Sequence, residues 1–244
     1  MAVFVFVHGA WHGGWCWKET AAALRAEGHE VHTPTLTGLG ERSHLLHAGI
    51  TPDTHVQDIV NTLQWRDLTG VILVGHSYGG IVITGVASQV PEKLSALVYL
   101  DAFAPEESGT PIFAKANPAR MAAFMKQIEA GAIGLEPDEA AKTWVEDTET
   151  LKLLLSKCTP HPKGCFEYGV TLTGREHEVR HRHYIVAAQN TQSPFQAEYA
   201  RVRDRPGWTS EEISTWHDAM IEAPNELAAI LSTYAQRIGL QDTK

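Results

Sequence analysis

The segment Gly75-His76-Ser77-Tyr78-Gly79-Gly80 follows the apolar run Val71-Ile72-Leu73-Val74 and precedes Ile81-Val82-Ile83. A G-x-S-x-G pattern between a strand and a helix is the setting in which a tight turn pushes a serine hydroxyl clear of the backbone. Glycines at 75 and 79 remove Cβ atoms that would collide across that turn, so Ser77 is the expected nucleophile. The hydroxyl needs a base to take its proton. His217 is the expected base, in Thr215-Trp216-His217-Asp218-Ala219-Met220. The chain holds 13 histidines, so position selects this one: a turn between the last strand and the last helix, facing the nucleophile.

An acid must then hold the imidazole tautomer. The usual place follows the strand at 184–187, where the chain reads Ala187-Ala188-Gln189-Asn190-Thr191-Gln192 without a carboxylate. Asn190 carries no charge, and an Asp-to-Asn change in this role costs a serine protease about 10⁴-fold in turnover. Asp101 ends the strand after the nucleophile helix and is the expected acid. Glu198, on a helix, and Asp218, adjacent to the base, are poorer choices. A developing oxyanion needs two N–H donors, each contributing about 3 kcal/mol. The backbone N–H groups of Tyr78 and Ala10 are expected there, and Trp11 beside them is placed as a substrate-facing side chain. His177-Glu178-Val179-Arg180-His181 matches the zinc pattern H-E-x-x-H. Gly174 upstream and a strand downstream leave it little helix, so no metal is expected.

The elements that must position these residues alternate. Strands are predicted at 3–7, 30–33, 71–74, 94–100, 184–187 and 211–215, and helices at 15–27, 52–65, 78–89, 194–203 and 224–238. Gly28 is the expected C-cap of the first helix. Trp15 and Trp17 are expected to bury that helix against the sheet, and 35–51 reads as a surface loop. This rhythm implies an α/β fold with a mostly parallel central sheet and helices on both faces. It fails over 105–180, where Met121, Phe124, Met125 and Ile128 fall at helical spacing and Leu151, Leu153, Leu154 and Leu155 cluster. The expected organisation is a core of 1–104 and 181–244, with 105–180 as a mostly helical lid inserted over the C-terminal edge of the sheet.

Composition sets the class. The chain has 244 residues, 43% hydrophobic and 20% charged, as in soluble globular domains. A net charge of −9 argues against nucleic-acid binding. No apolar run reaches the length of a membrane span. The first strand begins at once and leaves no room for a leader, and the three cysteines suit reduced thiols. A cytoplasmic location is therefore expected. Cys158 and Cys165 lie close enough in sequence to pair. The expected partner is a small molecule, with no nucleic acid and no membrane, and a homodimer is the candidate assembly.

Three segments together carry a resemblance: Val7-His8-Gly9-Ala10-Trp11-His12-Gly13-Gly14-Trp15-Cys16-Trp17, Val74 to Gly80, and Trp216-His217-Asp218-Ala219-Met220. The chain resembles the α/β-hydrolase superfamily, within it the branch of plant methyl esterases, hydroxynitrile lyases and bacterial pyrethroid-type carboxylesterases. Thr33-Pro34-Thr35-Leu36-Thr37-Gly38-Leu39-Gly40-Glu41-Arg42 is similar to the bacterial members. The resemblance implies cofactor-free hydrolysis of small esters with apolar or aromatic parts through an acyl-enzyme. Two departures stand out. The plant members place their acid where Asn190 stands, whereas Asp101 occupies the place used by haloalkane dehalogenases and some lactone hydrolases of this fold. A group of the lyases carries threonine after the first strand and lysine after the base, where this chain has Gly9 and Asp218. The expected function is that of a serine carboxylesterase. Lyase or lactonase chemistry on the same scaffold, or a slow ligand-binding receptor, are the alternatives.

Overall fold

The computed structural model describes residues 1–115 and 118–241. The apolar run at the N-terminus forms β1 (Val3–Val7), and its two faces bury different layers. Val5 and Val7 join one hydrophobic cluster and Phe4 and Phe6 the other, as expected of a strand covered on both sides. It is followed by β2 (Glu30–His32), β3 (Val71–His76) and β4 (Leu94–Leu100). A short ladder of β5 (Gly134–Leu135) and β6 (His161–Pro162) stands apart, and β7 (His181–Ala187) and β8 (Trp208–Ile213) complete the main sheet. The order is β2-β1-β3-β4-β7-β8 with every pairing parallel. All six strands therefore end on one rim, which is where an open parallel sheet presents its ligand-handling loops.

Helices cover both faces. On one side α1 (Lys18–Ala26) and α9 (Pro224–Gln241) pack together, with Leu24, Leu227 and Leu231 fully buried against Phe4 and Phe6. The other side carries α2 (Pro52–Trp65) and α3 (Gly79–Gln89). Thr51 starts α2 in a capping box with Thr54, and Pro52 stands where its missing N–H costs nothing. The segment 105–180 adds α4 (Pro118–Glu129), α5 (Thr148–Lys157) and the one-turn α6 (Gly164–Glu167). It buries Phe124, Leu135, Trp144, Leu154 and Phe166 in the same cluster as Val5 and Val7, while Leu153 stays exposed. After β7 come α7 (Pro194–Val202) and the short α8 (Ala219–Glu222).

Several expectations need correction. The segment 35–51 is a surface loop only in part: Glu41, His44 and Leu45 are exposed, but Leu36, Leu39 and Ile50 are fully buried. Its backbone is tied inward, with Leu36 N–H donating to His8 Nε2 at 3.1 Å and Thr37 N–H to Asp58 at 2.7 Å. The last strand runs Trp208–Ile213 rather than 211–215, because register is set by β7, where Arg182 pairs Trp208, and not by the polar residues of an edge strand. The sheet resumes at His181 rather than at 184. The first helix opens as a 3-10 turn, Gly14–Trp17, and ends before Gly28 at φ 86°. Trp17 is fully buried on Phe6 as expected, but Trp15 is only half-buried and stacks on His12. All three cysteines are free thiols.

Burial forces five histidines into the neutral form. Desolvation lowers His8 from 6.5 to about 3 and His55 and His183 to about 4, and pushes His76 and His161 well down. Below pH 6.5 the unfolded chain binds protons that these rings refuse in the fold. Each then destabilises the fold by up to roughly 1.4 kcal/mol per pH unit, until the folded value is reached. The expected result is a melting temperature that falls steeply between pH 6.5 and about 4. Calorimetry across that range checks it, and a flat profile excludes it.

Candidate active site

β3 ends at His76, and Ser77 follows at φ 53°, in the left-handed region that a serine seldom occupies. The turn holds because the chain closes on itself there. A Cβ at position 75 would lie 2.6 Å from the Gly79 carbonyl oxygen, and one at position 9 would lie 3.1 Å from Ser77 Cβ, so the loop after β1 rides directly on the turn. Ser77 N–H donates to the Leu100 carbonyl at 3.2 Å, and the Ser77 carbonyl accepts from Phe103 N–H at 3.2 Å. The turn is thus pinned to the end of β4.

Asp101 leaves β4 at φ 39° and is fully buried. Its N–H donates to the Ile185 carbonyl at 2.7 Å, and its Oδ1 accepts from Ala187 N–H at 3.2 Å. Its Oδ2 lies 2.6 Å from His217 Nδ1. The sequence-expected acid and base therefore meet. Burial raises the Asp101 carboxyl above its ordinary value, opposed by the His217 contact and the Ala187 N–H. With Nδ1 on Asp101, Nε2 is the nitrogen left to His217 for the cavity. Phe195 stacks parallel to the His217 ring at 5.0 Å, and His76 packs on it at 4.4 Å.

Ser77 and His217 line one cavity of about 600 Å³, together with Ala10, Trp11 and Tyr78. Tyr78 caps the N-terminus of α3, where backbone N–H groups lack helical partners. The walls come from Trp11, Phe124, Trp144 and Phe166. Trp11 Nε1–H donates to the Leu135 carbonyl at 2.6 Å, which fixes the indole against the inserted segment. Arg120 brings one charge into this aromatic wall, over the Trp11 and Phe124 rings and 3.0 Å from Asp138. Asn190 also lines the cavity, its amide donating to the Thr143 carbonyl at 3.4 Å. Sequence reasoning missed the lining side chains Arg120, Asp138, Trp144, Phe166 and Phe195, since no local pattern marks residues that converge from separate helices. A second omission had a signal: His12 and Asp218 lie beside the two motifs, and they contact each other.

Among the described residues, His55, His161 and Cys165 bring ligand-type atoms within 4.8 Å of one another, as do His76, His217 and Asp218. Trp11 N–H donates to His161 Nδ1 at 3.3 Å, so the ring proton sits on Nε2, where a cation needs a lone pair. Burial also pushes the Cys165 thiol up to about 12. In the second group, His76 Nε2 donates to the His217 carbonyl at 3.1 Å. The first group therefore lacks a deprotonated set, and in the second His76 Nε2 keeps its proton while His217 is held by Asp101. The H-E-x-x-H match falls on a 3-10 turn, Arg175–Glu178, with His177 exposed and His181 on β7, so its histidines share no helical face.

A strained serine after the third strand, a late histidine on a buried aspartate and a parallel sheet whose strands all end on one rim define a known architecture. The model of the alpha/beta hydrolase family matches residues 4–230. The chain belongs to the alpha/beta hydrolase family. Within it, the chain is 42% identical over 240 residues to the carbendazim hydrolyzing esterase of a Nocardioides strain, covering 95% of this chain and 99% of that one. Two solved hydrolases share the fold. An extracellular alpha/beta-hydrolase from a Paenibacillus species superposes with a TM-score of 0.81 at 23% identity, covering 96% of this chain and 99% of that one. A methylesterase from Arabidopsis superposes with a TM-score of 0.75 at 24% identity, covering 97% and 99%. Among the described residues, no helix is long and apolar enough to cross a membrane.

Proposed function

We propose that this alpha/beta hydrolase is a serine carboxylesterase acting on small esters with apolar or aromatic groups. The observation that carries the reading is the 2.6 Å contact between His217 and buried Asp101, on the rim of the cavity that Ser77 also lines. Ser77 Oγ attacks the ester carbonyl as His217 Nε2 takes its proton. The same proton passes to the departing alcohol as the C–O bond breaks, leaving an acyl-serine. Water repeats the sequence, giving its proton to His217 and releasing the acid. Asp101 holds Nδ1–H and balances the imidazolium. The N–H groups of Ala10 and Tyr78 receive the oxyanion.

Residues 105–180 act as the lid of this site, since Phe124, Trp144 and Phe166 from that segment wall the cavity. Trp11 packs on those three rings and faces the substrate's aromatic part. The name of the Nocardioides relative puts carbendazim first in any substrate panel. The test is a pre-steady-state assay with nitrophenyl esters, carbendazim, cyanohydrins and lactones. A burst of nitrophenol stoichiometric with enzyme is expected, with cyanohydrins and lactones left untouched. Preferential turnover of either of the latter would assign the lyase or lactonase alternative. Tight binding of a hydrolysis product with negligible rate would assign a receptor.

A further inference from the structure

Behind the base lies a second buried carboxylate that the proposed reaction does not use. Asp218 is fully buried, and its N–H donates to the Trp144 carbonyl at 2.8 Å. Its Oδ2 lies 3.1 Å from His12 Nε2, while His12 Nδ1 lies 2.7 Å from the Ala10 carbonyl. A carbonyl can only accept, so Nδ1 carries a proton; an ionised carboxylate can only accept, so Nε2 carries one too. With Asp218 ionised, His12 is an imidazolium whose two donors bridge the loop after β1 and the turn after β8. His76 sits on the same carboxylate, with Nε2 3.5 Å from Asp218 Oδ1. Ligand-type atoms of His76, His217 and Asp218 lie within 4.8 Å of one another. The His12 ring also packs on Trp144 at 5.2 Å.

We propose that the buried His12–Asp218 ion pair is a positioning device, which fixes the Ala10 loop against the His217 turn and sets the charge beside the His217 ring. The inference rests on the reading of Ser77 and His217 as nucleophile and base. The pair is paired electrostatically in the expected sense: each partner holds the other charged, His12 above its ordinary value and Asp218 below its own, against a desolvation cost that favours both neutral forms. The groups that face it come from every surrounding element. His76 ends β3, Asp101 ends β4, Cys16 lies in the 3-10 turn before α1 and Cys158 follows α5. His8 and His161, which feel the charge on His12, are themselves held neutral by burial. The base thus has two buried carboxylates near it, Asp101 in contact with its Nδ1 and Asp218 next to it in the chain. A buried ion pair is seldom the most stable filling for such a space, so its use here points to the geometry and charge it imposes.

The test has two arms. Nitrogen NMR of the imidazole rings in the Ser77→Ala protein reads the charge on His12 without turnover. A doubly protonated His12 ring from pH 6 to 8 is expected, becoming neutral in Ser77→Ala/Asp218→Asn. In the active enzyme, Asp218→Asn is expected to lower kcat about 10- to 100-fold through misplacement of base and oxyanion donors. KM should change little. The acid limb of kcat/KM should move to lower pH, because the Asp218 charge within 4.8 Å of the base goes, only partly offset by the loss of the His12 charge that paired it. A loosened fold alone would lower activity without moving that limb. A neutral His12 at pH 7, or an unmoved acid limb in an enzyme that depends on His217, overturns the proposal. Turnover retained in His217→Ala would instead overturn the base reading beneath it, and the persisting imidazolium signal tells the two failures apart.

Discussion

Ser77→Ala is expected to lower kcat/KM for every ester by about 10⁵-fold while leaving the fold and its melting temperature intact. The oxygen removed is small and faces the cavity, so no core contact goes with it. Alanine keeps a Cβ at φ 53° and inherits the same backbone geometry. The residual rate should come from the oxyanion donors and binding alone. Retention of more than about a hundredth of the activity would mean that another group attacks the carbonyl, and that Ser77 only shapes the turn.

Asp101→Asn carries the second large effect, a fall in kcat of about 10⁴-fold with little change in KM. The amide matches the carboxylate in size, so packing survives and only the charge and tautomer control are lost. An asparagine that keeps accepting from Ala187 N–H can turn its NH₂ toward His217 and hold the proton on the wrong ring nitrogen. Asn190→Ala provides the control on the neighbouring strand end. Its amide reaches the Thr143 carbonyl at 3.4 Å, a weak contact, and its removal should cost less than about tenfold. Steady-state kinetics on the three proteins decides the matter. A harmless Asp101→Asn together with a crippling Asn190→Ala would reverse the assignment of the acid.

Much of this site was legible because parallel strands turn sequence order into spatial order. The runs at 3–7, 71–74 and 94–100 carry their periodicity locally, and whatever follows each of them must emerge on the same rim. Placing Ser77 and Asp101 on neighbouring strand ends required only that rule and the pairing of β3 with β4. The edge strand β8 was displaced in the reading by three residues at its start, because Thr209, Ser210, Glu211 and Glu212 carry no apolar alternation and borrow their register from β7. The burial of Leu36, Leu39 and Ile50 within 35–51 escapes the sequence for a related reason. Leu36, Leu39 and Ile50 stand among glycines and threonines, and Leu36 N–H is held by the side chain of His8, 28 residues away in the chain, rather than by any local pattern. The cavity wall was the least legible part. Arg120, Trp144, Phe166 and Phe195 meet only through tertiary packing, and each looks on its own like an ordinary amphipathic residue.

The two side chains assigned to attack and to orientation, at 77 and 101, share one backbone property: both bend the chain against the preference of an L-residue, at φ 53° and 39°. Such conformers cost about 1–3 kcal/mol apiece and survive only where the surroundings insist on them. A glycine at either place would relax the main chain and delete the chemistry in the same stroke. The endurance of this molecule and its reactivity are thus set against each other at those two points, and gains in robustness must be sought away from the rim.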